Sequence, residues 1–289
     1  MGWKLEYDGK KYKNVVEMGK NIPLLTSVLV QWTDDADWIA ANAAANCYDT
    51  NITYGGKLAE KIVLHCVESG HNTVYEHNLF TFFKKVPIFV ARQDLRARHA
   101  SFDERSLRYC RADNESLTYY LPDYLSETVI ERTDDKKKQQ FLKDMREEWI
   151  ELHERTIRFY SKYTDEELNE IWNEFDLNGE RVRETVRATL PLGINTMYMD
   201  SRNAASWIHH SAKRLCLRAQ KEIRLIAYQQ IKQLKEVAPI IFGGVNRPCM
   251  MSKGCTEARK CGVTSLEETG RWEVKFYEKI MKPKLYDKK

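Results

Sequence analysis

The sequence predicts an α+β fold that is rich in helix and contains a modest antiparallel sheet. Apolar residues recur every three or four positions through strongly charged stretches, and one short aromatic run has the composition of a strand. The 289-residue chain is 43% hydrophobic and 30% charged, as globular domains are. Its formal charge of +4 is too small to indicate nucleic-acid binding by itself.

Three elements are predicted in the first part of the chain. Residues 57–69 carry apolar side chains at helical spacing, and Gly70 follows as a helix stop. The aromatic run LFTFFKK at 79–85 predicts a strand. Pro87 suits the first turn of a new helix through the sequence VPIFVARQDLRAR at 86–98.

The second part is predicted to be mostly helical. An amphipathic helix covers about 141–159, and Thr164 with Glu167 resembles a capping box for a short helix. Further helices are expected at about 180–189 and, as one long element, at 203–234. The last 50 or so residues contain glycine, proline and three cysteines, and are expected to be irregular.

Several classes of protein are disfavoured. No apolar run reaches the ~20 residues of a membrane span, and the N-terminus lacks an apolar signal core, so we expect a cytoplasmic protein. Seven cysteines, an odd number, indicate free thiols. Cys249, Cys255 and Cys261 are spaced by six; free thiols are favoured over a zinc site because no C-x-x-C pair is present. No Rossmann or P-loop glycine motif occurs.

Two stretches contain residues that can support chemistry. Residues 92–109 include five arginines, which form either a solvated basic helix end or an anion site; the intervening Ser101, Glu104 and Ser106 favour the anion site. Further on, Ser206, His210 and Arg214 fall on one helix face. A hydrolase is disfavoured because no G-x-S-x-G motif accompanies that serine and histidine.

The arginine-rich stretch resembles the signature of the flavin-dependent thymidylate synthases, which is Arg-His-Arg, seven residues, then Ser. Here the pattern is Arg96-Ala97-Arg98, seven residues, then Ser106, with Ala97 in place of the histidine. Other segments are similar to the same family in the same order: they are 70–82, 87–93, 188–196 and 214–224. The similarity runs from about residue 41 to 227, apart from an enlarged middle at about 112–178.

The resemblance implies a mixed α+β domain over 1–235, with an irregular extension at 236–289. It implies a homotetramer whose active sites form at subunit interfaces. It also implies an enzyme that converts dUMP to dTMP, with methylenetetrahydrofolate as carbon donor and NADPH-reduced FAD as hydride donor. No enzymic cysteine attacks the pyrimidine in this family.

The resemblance also implies which residues bind the nucleotide. Arg214 is expected to stabilise negative charge on the uracil ring, and Ser106 is the second residue expected to act in catalysis. Leu107 stands where the family often has a small residue and is expected to contribute main chain only. The residues expected to bind dUMP are Gln93, Arg96, Glu104, Ser106, Leu107, Arg108, Arg187 and Arg214.

The flavin site is implied in the same way. The residues expected to contact FAD are His71, Thr73, Arg96, Ala97, Arg98, Glu104, Asn203 and His209. Ala205 replaces an arginine that meets the FAD phosphates in the family, and Arg202 or Lys213 is a candidate substitute. No metal site is expected.

Three alternatives stay open at this point. The same scaffold can methylate or hydroxymethylate C5 of another pyrimidine nucleotide, such as UMP or dCMP. Ala97 and Ala205 also suit a nucleotide-binding homologue that has lost catalysis. A cysteine-dependent thymidylate synthase is disfavoured because Met250 follows Pro248-Cys249 where that class has histidine.

Overall fold

A computed structural model describes residues 22–112 and 117–251, together with Ala258 and Cys261. Four strands form one sheet: β1 Thr26–Trp32, β2 Leu79–Pro87, β3 Ser101–Glu104 and β4 Asn195–Asn203. The α-helices of the described residues are α1 Ala36–Cys47, α2 Lys57–Ser69, α3 Ile88–Asp94, α4 Glu127–Glu131, α5 Lys136–Tyr163, α6 Asn169–Asn173, α7 Gly179–Val186, α8 Ala204–Arg214, α9 Lys221–Val237 and α10 Pro239–Gly243. Short 3-10 turns, among them 72–75 and 187–189, join these elements. Within the described residues no helix is both long enough and apolar enough to cross a membrane.

The strand order is β1-β2-β4-β3, and every neighbouring pair is antiparallel. The predicted α+β class is therefore confirmed. The strand predicted at 79–85 is β2, an inner strand that runs two residues further, to Pro87. Its near-continuous burial explains why the sequence there is a run of apolar and aromatic residues rather than an alternation.

The largest apolar core lies between the sheet and helices α1, α2, α8 and α9. Trp207 of α8 is completely buried, its indole Nε1 donates to the Phe80 carbonyl at 3.0 Å, and its ring meets that of Phe82 edge-on. Alanines line the inner face of α1 and let that helix approach closely. The core thereby fixes the start of α8, the helix that contains several predicted site residues.

Helix α9 also fastens the edge strand β1 through two glutamines. The backbone N–H groups of Ser27 and Leu29 donate to the side-chain oxygens of Gln229 and Gln233, each at 2.8 Å. The Gln233 amide nitrogen in turn donates to the Ser27 carbonyl at 2.9 Å. Outward-facing backbone groups of β1 are thus bonded within the same chain.

The enlarged middle is helical, as predicted, and α5 is its main element. One face of α5 packs on the domain through His153, Ile157 and Tyr160, whereas its outer face is solvated. Arg111 pairs with Asp165 at 2.6 Å and joins the end of α5 to the rest of the chain.

Two predicted helices differ most from the structure in their bounds. The single helix predicted at 203–234 is two helices, α8 and α9, separated by residues 215–220. The Arg224 guanidinium donates to the carbonyls of Leu217 and Ala219 at 2.9 and 2.8 Å and stabilises the turn between them. The helix predicted at 86–98 covers only Ile88–Asp94.

The predicted capping box is also wrong. Thr164 follows the last residue of α5, and its hydroxyl donates to the Tyr160 carbonyl at 2.8 Å. Asp165 is the capping residue, since its carboxylate accepts from the Glu167 N–H at 3.1 Å.

The beginning of the expected irregular extension is part of the core. Ile241 and Phe242 of α10 are completely buried against the main apolar cluster. Most of the remaining extension, including Cys255, lies outside the described residues, so the division at residue 235 stays a prediction. Cys47, Cys66, Cys110, Cys216 and Cys249 are free thiols, and no group of His, Cys, Asp and Glu among the described residues could hold a metal.

Candidate active site

Arg214, the last residue of α8, lies against the end of α3. Its guanidinium Nη2 donates to the main-chain carbonyl of Gln93, so the structure brings these two predicted site residues together. The side chain is half-buried; desolvation lowers the pKa of Arg214, while the charge of nearby Asp94 raises it. Arginine stays protonated in such surroundings, so this is a fixed, partly exposed positive charge.

Beneath this contact lies a buried ionic network formed by Lys84, Asp94, Asp200, Arg202 and His210. The Lys84 ammonium lies 2.5 Å from a carboxylate oxygen of each aspartate. The Arg202 guanidinium forms a bidentate pair with Asp200, at 2.7 Å for both contacts. His210 Nε2 is 3.0 Å from an Asp94 oxygen. With a neutral histidine, two cations balance two anions, which makes burial of all five side chains tolerable.

The charge states in this network follow from burial and pairing. Desolvation lowers the pKa of His210 to about 4 despite the Asp94 carboxylate, so the ring is neutral near pH 7. Desolvation alone would raise the pKa of Asp94, but Lys84 and His210 hold it well below its usual range. The Tyr198 hydroxyl donates to Asp94 at 2.7 Å, and burial raises the pKa of that hydroxyl well above its ordinary value.

Two expectations for α8 and its surroundings change as a result. Arg202 is only 2% exposed and is held by aspartates, so it cannot replace the arginine missing at 205. His210 does share a face with Arg214, but its ring is buried against Asp94 rather than facing a ligand. Lys213 is exposed and stays a candidate for the cofactor phosphates.

The loop after α3 presents cationic side chains to solvent. Arg96 and Arg98 are both exposed, and neither has a hydrogen-bond or ion-pair partner among the described residues. Ala97 lies between them, and its N–H donates to the Asp94 carbonyl at 3.0 Å. Exposed guanidinium groups without an internal anion are suited to the phosphates of a dinucleotide.

The predicted flavin contacts on α8 lie beside this loop. His209 is mostly exposed. Desolvation, together with the charges of Lys213 and His99, lowers the pKa of His209. Asn203 caps α8 by accepting from the Ser206 N–H at 2.9 Å.

The remaining predicted flavin contacts precede β2. His71 and Thr73 are exposed in the short turn there, and α8 packs against that turn. The Ala204 N–H donates to the Asn78 carbonyl at 3.0 Å and joins the turn to the start of α8. These exposed polar residues, with the two free arginines, fit an anionic cofactor such as FAD.

The other predicted site residues form a second group beyond β3. Glu104 accepts from the Thr196 hydroxyl at 2.7 Å, and the Ser106 hydroxyl accepts from the Arg108 N–H at 3.3 Å. The side chain of Leu107 packs against an apolar cluster, which leaves only its main chain for a ligand. Arg187 is exposed in the 3-10 turn after α7.

Arg108 is already paired in this second group. Its guanidinium lies 2.6 Å from Glu180 and 2.6 Å from Glu184, both on α7. Sequence reasoning missed these two carboxylates because they lie more than 70 residues away along the chain, on a helix that follows the enlarged middle. Their one sequence signal is the spacing of four, which puts both on one face of a helix.

Glu104 of the second group and Asn203, a predicted flavin contact, lie at different positions along the sheet. Glu104 pairs with Tyr198 of β4, whereas Asn203 is five residues further along that strand, a separation of about 17 Å. Among the described residues, no side-chain hydrogen bond or ion pair joins a predicted site residue of one group to one of the other.

Comparison with known proteins identifies the class of enzyme. A family model described as thymidylate synthase complementing protein matches residues 28–240. The flavin-dependent thymidylate synthase of Thermosipho melanesiensis is 32% identical over 206 residues, which cover 71% of this chain and 84% of that protein. The enzyme of the same name from Thermosipho africanus is 33% identical over 208 residues, with the same coverage.

A solved structure gives the same fold. The crystal structure of a UMP/dUMP methylase, PolB from Streptomyces cacaoi bound with 5-Br dUMP, matches with a TM-score of 0.58 at 20% identity. The match covers 75% of this chain and 93% of that one, and at this identity it supports the fold alone. The sequence matches place the chain among the FAD-dependent methyl-transferring enzymes. It belongs to the flavin-dependent thymidylate synthase family.

Proposed function

We propose that this enzyme methylates C5 of dUMP to give dTMP, with methylenetetrahydrofolate as carbon donor and NADPH-reduced FAD as hydride donor. The observation that supports it most is the half-buried Arg214 guanidinium, fastened to the Gln93 carbonyl beside the exposed Arg96 and Arg98. This arrangement offers one fixed charge for a ring and free charges for phosphates.

The fixed charge has a specific role in this proposal. As the uracil ring is activated at C5, negative charge spreads over the ring and its N3 edge. A guanidinium that is already oriented and partly desolvated stabilises that charge without a cost of reorganisation at the moment of reaction. The Gln93 carbonyl holds Arg214 in place. Asp94, the last residue of α3, is held in turn by Lys84 of the buried ionic network.

The nucleotide is held by the other residues of the set. Arg96, Arg108 and Arg187 supply guanidinium groups for the phosphate, and Gln93, Glu104 and Ser106 supply polar groups. The main chain of Leu107 completes this proposed set.

FAD, when bound, supplies the hydride that converts the transferred one-carbon unit into a methyl group. Its phosphates suit Arg96 and Arg98, with the main chain of Ala97 between them. His71, Thr73, Glu104, Asn203 and His209 are the other proposed contacts. One Glu104 oxygen is engaged by Thr196 and the Asn203 oxygen by the helix cap, so these two residues act from fixed positions.

The active site is proposed to form between protomers of a homotetramer. The family resemblance implies this assembly, and within the described residues of one chain no side-chain hydrogen bond or ion pair joins the Arg214 contact to the Ser106–Arg108 segment. A second copy that brings its Ser106–Arg108 segment to the Arg214 group would complete the set.

The test is spectroscopic and then catalytic. Purified protein is expected to show flavin absorption and to convert dUMP to dTMP with methylenetetrahydrofolate and NADPH. Protein that is colourless and stays inactive after addition of FAD would contradict the proposal; nucleotide binding measured by calorimetry in that protein would indicate a binding homologue that has lost catalysis.

UMP is the alternative substrate to compare first, because the matching solved structure is a UMP/dUMP methylase. dCMP is the third. The three nucleotides should be compared at equal concentrations under one set of conditions. A higher kcat/KM for UMP or dCMP than for dUMP would identify that nucleotide as the preferred substrate.

A further inference from the structure

Arg108 is held between two carboxylates of helix α7, which follows the enlarged middle of the chain. Its Nη2 donates to Glu180 Oε1 at 2.6 Å, and its Nε lies 2.6 Å from Glu184 Oε1. The Arg183 Nε donates to the main-chain carbonyl of Arg108, also at 2.6 Å. Helix α7 therefore binds both the side chain and the backbone of Arg108, a residue proposed to contact the nucleotide phosphate.

These ion pairs are placed where a ligand can replace them. The Arg108, Glu180 and Glu184 side chains are 38%, 34% and 39% exposed. Partly solvated pairs are weak, so a phosphate group can compete with them for the guanidinium. The Glu180 hydrogen bond raises the pKa of Arg108, so the contested group is fully charged.

We propose that Glu180 and Glu184 act as an internal competitor of the nucleotide phosphate for Arg108. This inference rests on the proposed function, because it takes Arg108 as a phosphate ligand. A phosphate dianion and two carboxylates repel one another at one guanidinium, so nucleotide binding displaces the carboxylates and loosens α7. The two glutamates thereby lower nucleotide affinity and couple α7 to occupancy of the site.

The experiment compares the double variant Glu180→Gln/Glu184→Gln with the wild type by calorimetry. The double variant is expected to bind dUMP about three- to tenfold more tightly, since two weak ion pairs no longer compete with the ligand. Deoxyuridine, which lacks the phosphate, should bind both proteins equally. Glu154→Gln is the matched control, because Glu154 forms an exposed pair with Arg158 on α5, and its affinity for dUMP should stay at the wild-type value.

The outcomes separate the two proposals. Unchanged or weaker dUMP binding by the double variant, or an equal gain for deoxyuridine, overturns the competition while leaving the proposed function in place. A wild-type protein that binds no dUMP overturns both. Hydrogen exchange gives an independent measurement: amides of residues 179–187 should exchange faster in wild type with saturating dUMP but not with deoxyuridine, and unchanged exchange with dUMP also overturns the inference.

Discussion

Two arginines of this chain have the same kind of partners in opposite surroundings. Arg202 lies between the two aspartates of the buried ionic network, and its side chain is 1% exposed. Arg108 lies between the two glutamates of α7, and its side chain is 38% exposed. In the first case no ligand can reach the guanidinium, and removal of one partner leaves an unbalanced buried charge. In the second case water and a phosphate can compete for it. The same residue type thus supports the fold at one position and is available for binding at the other.

The largest expected effect is on the buried side of this comparison. Asp94→Ala should lower the free energy of unfolding by about 3–5 kcal/mol, because it leaves Lys84 and Arg202 with a single buried aspartate between them. Urea unfolding followed by circular dichroism measures it. Glu184→Ala, which removes a carboxylate from the exposed pair, should leave the unfolding midpoint nearly unchanged. Equal losses in the two variants would contradict this difference between the buried and the exposed ion pairs.

Arg214 lies between the two extremes, half-buried and held by one carbonyl. Arg214→Ala should reduce kcat for dUMP by about 10²–10³-fold, the scale of about 2.7–4 kcal/mol for loss of an oriented electrostatic donor. Steady-state turnover measures this change, with Arg158→Ala as control because Arg158 forms only an exposed helical pair. A turnover close to wild type would exclude the proposed role for Arg214.

The pH dependence of stability tests the charge state of the buried network. The pKa of His210 is near 6.5 in the unfolded chain and about 4 in the fold, so the unfolded state binds more protons between these values. The contribution of neutral His210 to the free energy of unfolding should therefore be fully present above pH 6.5. It should decrease as the pH falls toward 4, by a total on the order of 3 kcal/mol. His210→Gln should flatten the profile in that window. Asp94 responds only below its ordinary pKa and contributes a further loss at lower pH.

The smallest effect concerns the exposed loop. Ala97→His restores the family signature between Arg96 and Arg98, and one added hydrogen bond of about 0.5–1.5 kcal/mol should tighten FAD binding about two- to tenfold. Fluorescence titration of the apoprotein with FAD measures the affinity. Ala97→Phe is the control of similar size without a polar atom, and an equal gain in that variant would attribute the effect to packing.

The sequence predicts local features of the fold better than long-range contacts. The helix at 57–69 has the predicted bounds, because its apolar spacing and the left-handed Gly70 are both visible in the sequence. The break between α8 and α9 was missed because it depends on Arg224 reaching back to two carbonyls rather than on glycine or proline.

The candidate site shows the same division. The family resemblance assigned Gln93 and Arg214 to one nucleotide site, and the structure puts the Arg214 guanidinium against the Gln93 carbonyl, although their role in binding stays a prediction. The buried ionic network joins Lys84 to residues 10 and 116 positions away, a pairing that no local pattern indicates. The glutamates that grip Arg108 were missed for the same reason, since they approach it only in the folded chain.

The glutamine contacts between α9 and β1 limit how copies of this chain can associate. A free strand edge is a template on which another chain can add a strand. Gln229 and Gln233 occupy backbone groups along that edge, so continuation of the sheet from β1 into a neighbouring molecule would require these bonds to break. Association of copies through helical faces or the short β3 margin would leave these bonds intact, so sheet extension at β1 is the costlier way for this chain to polymerise.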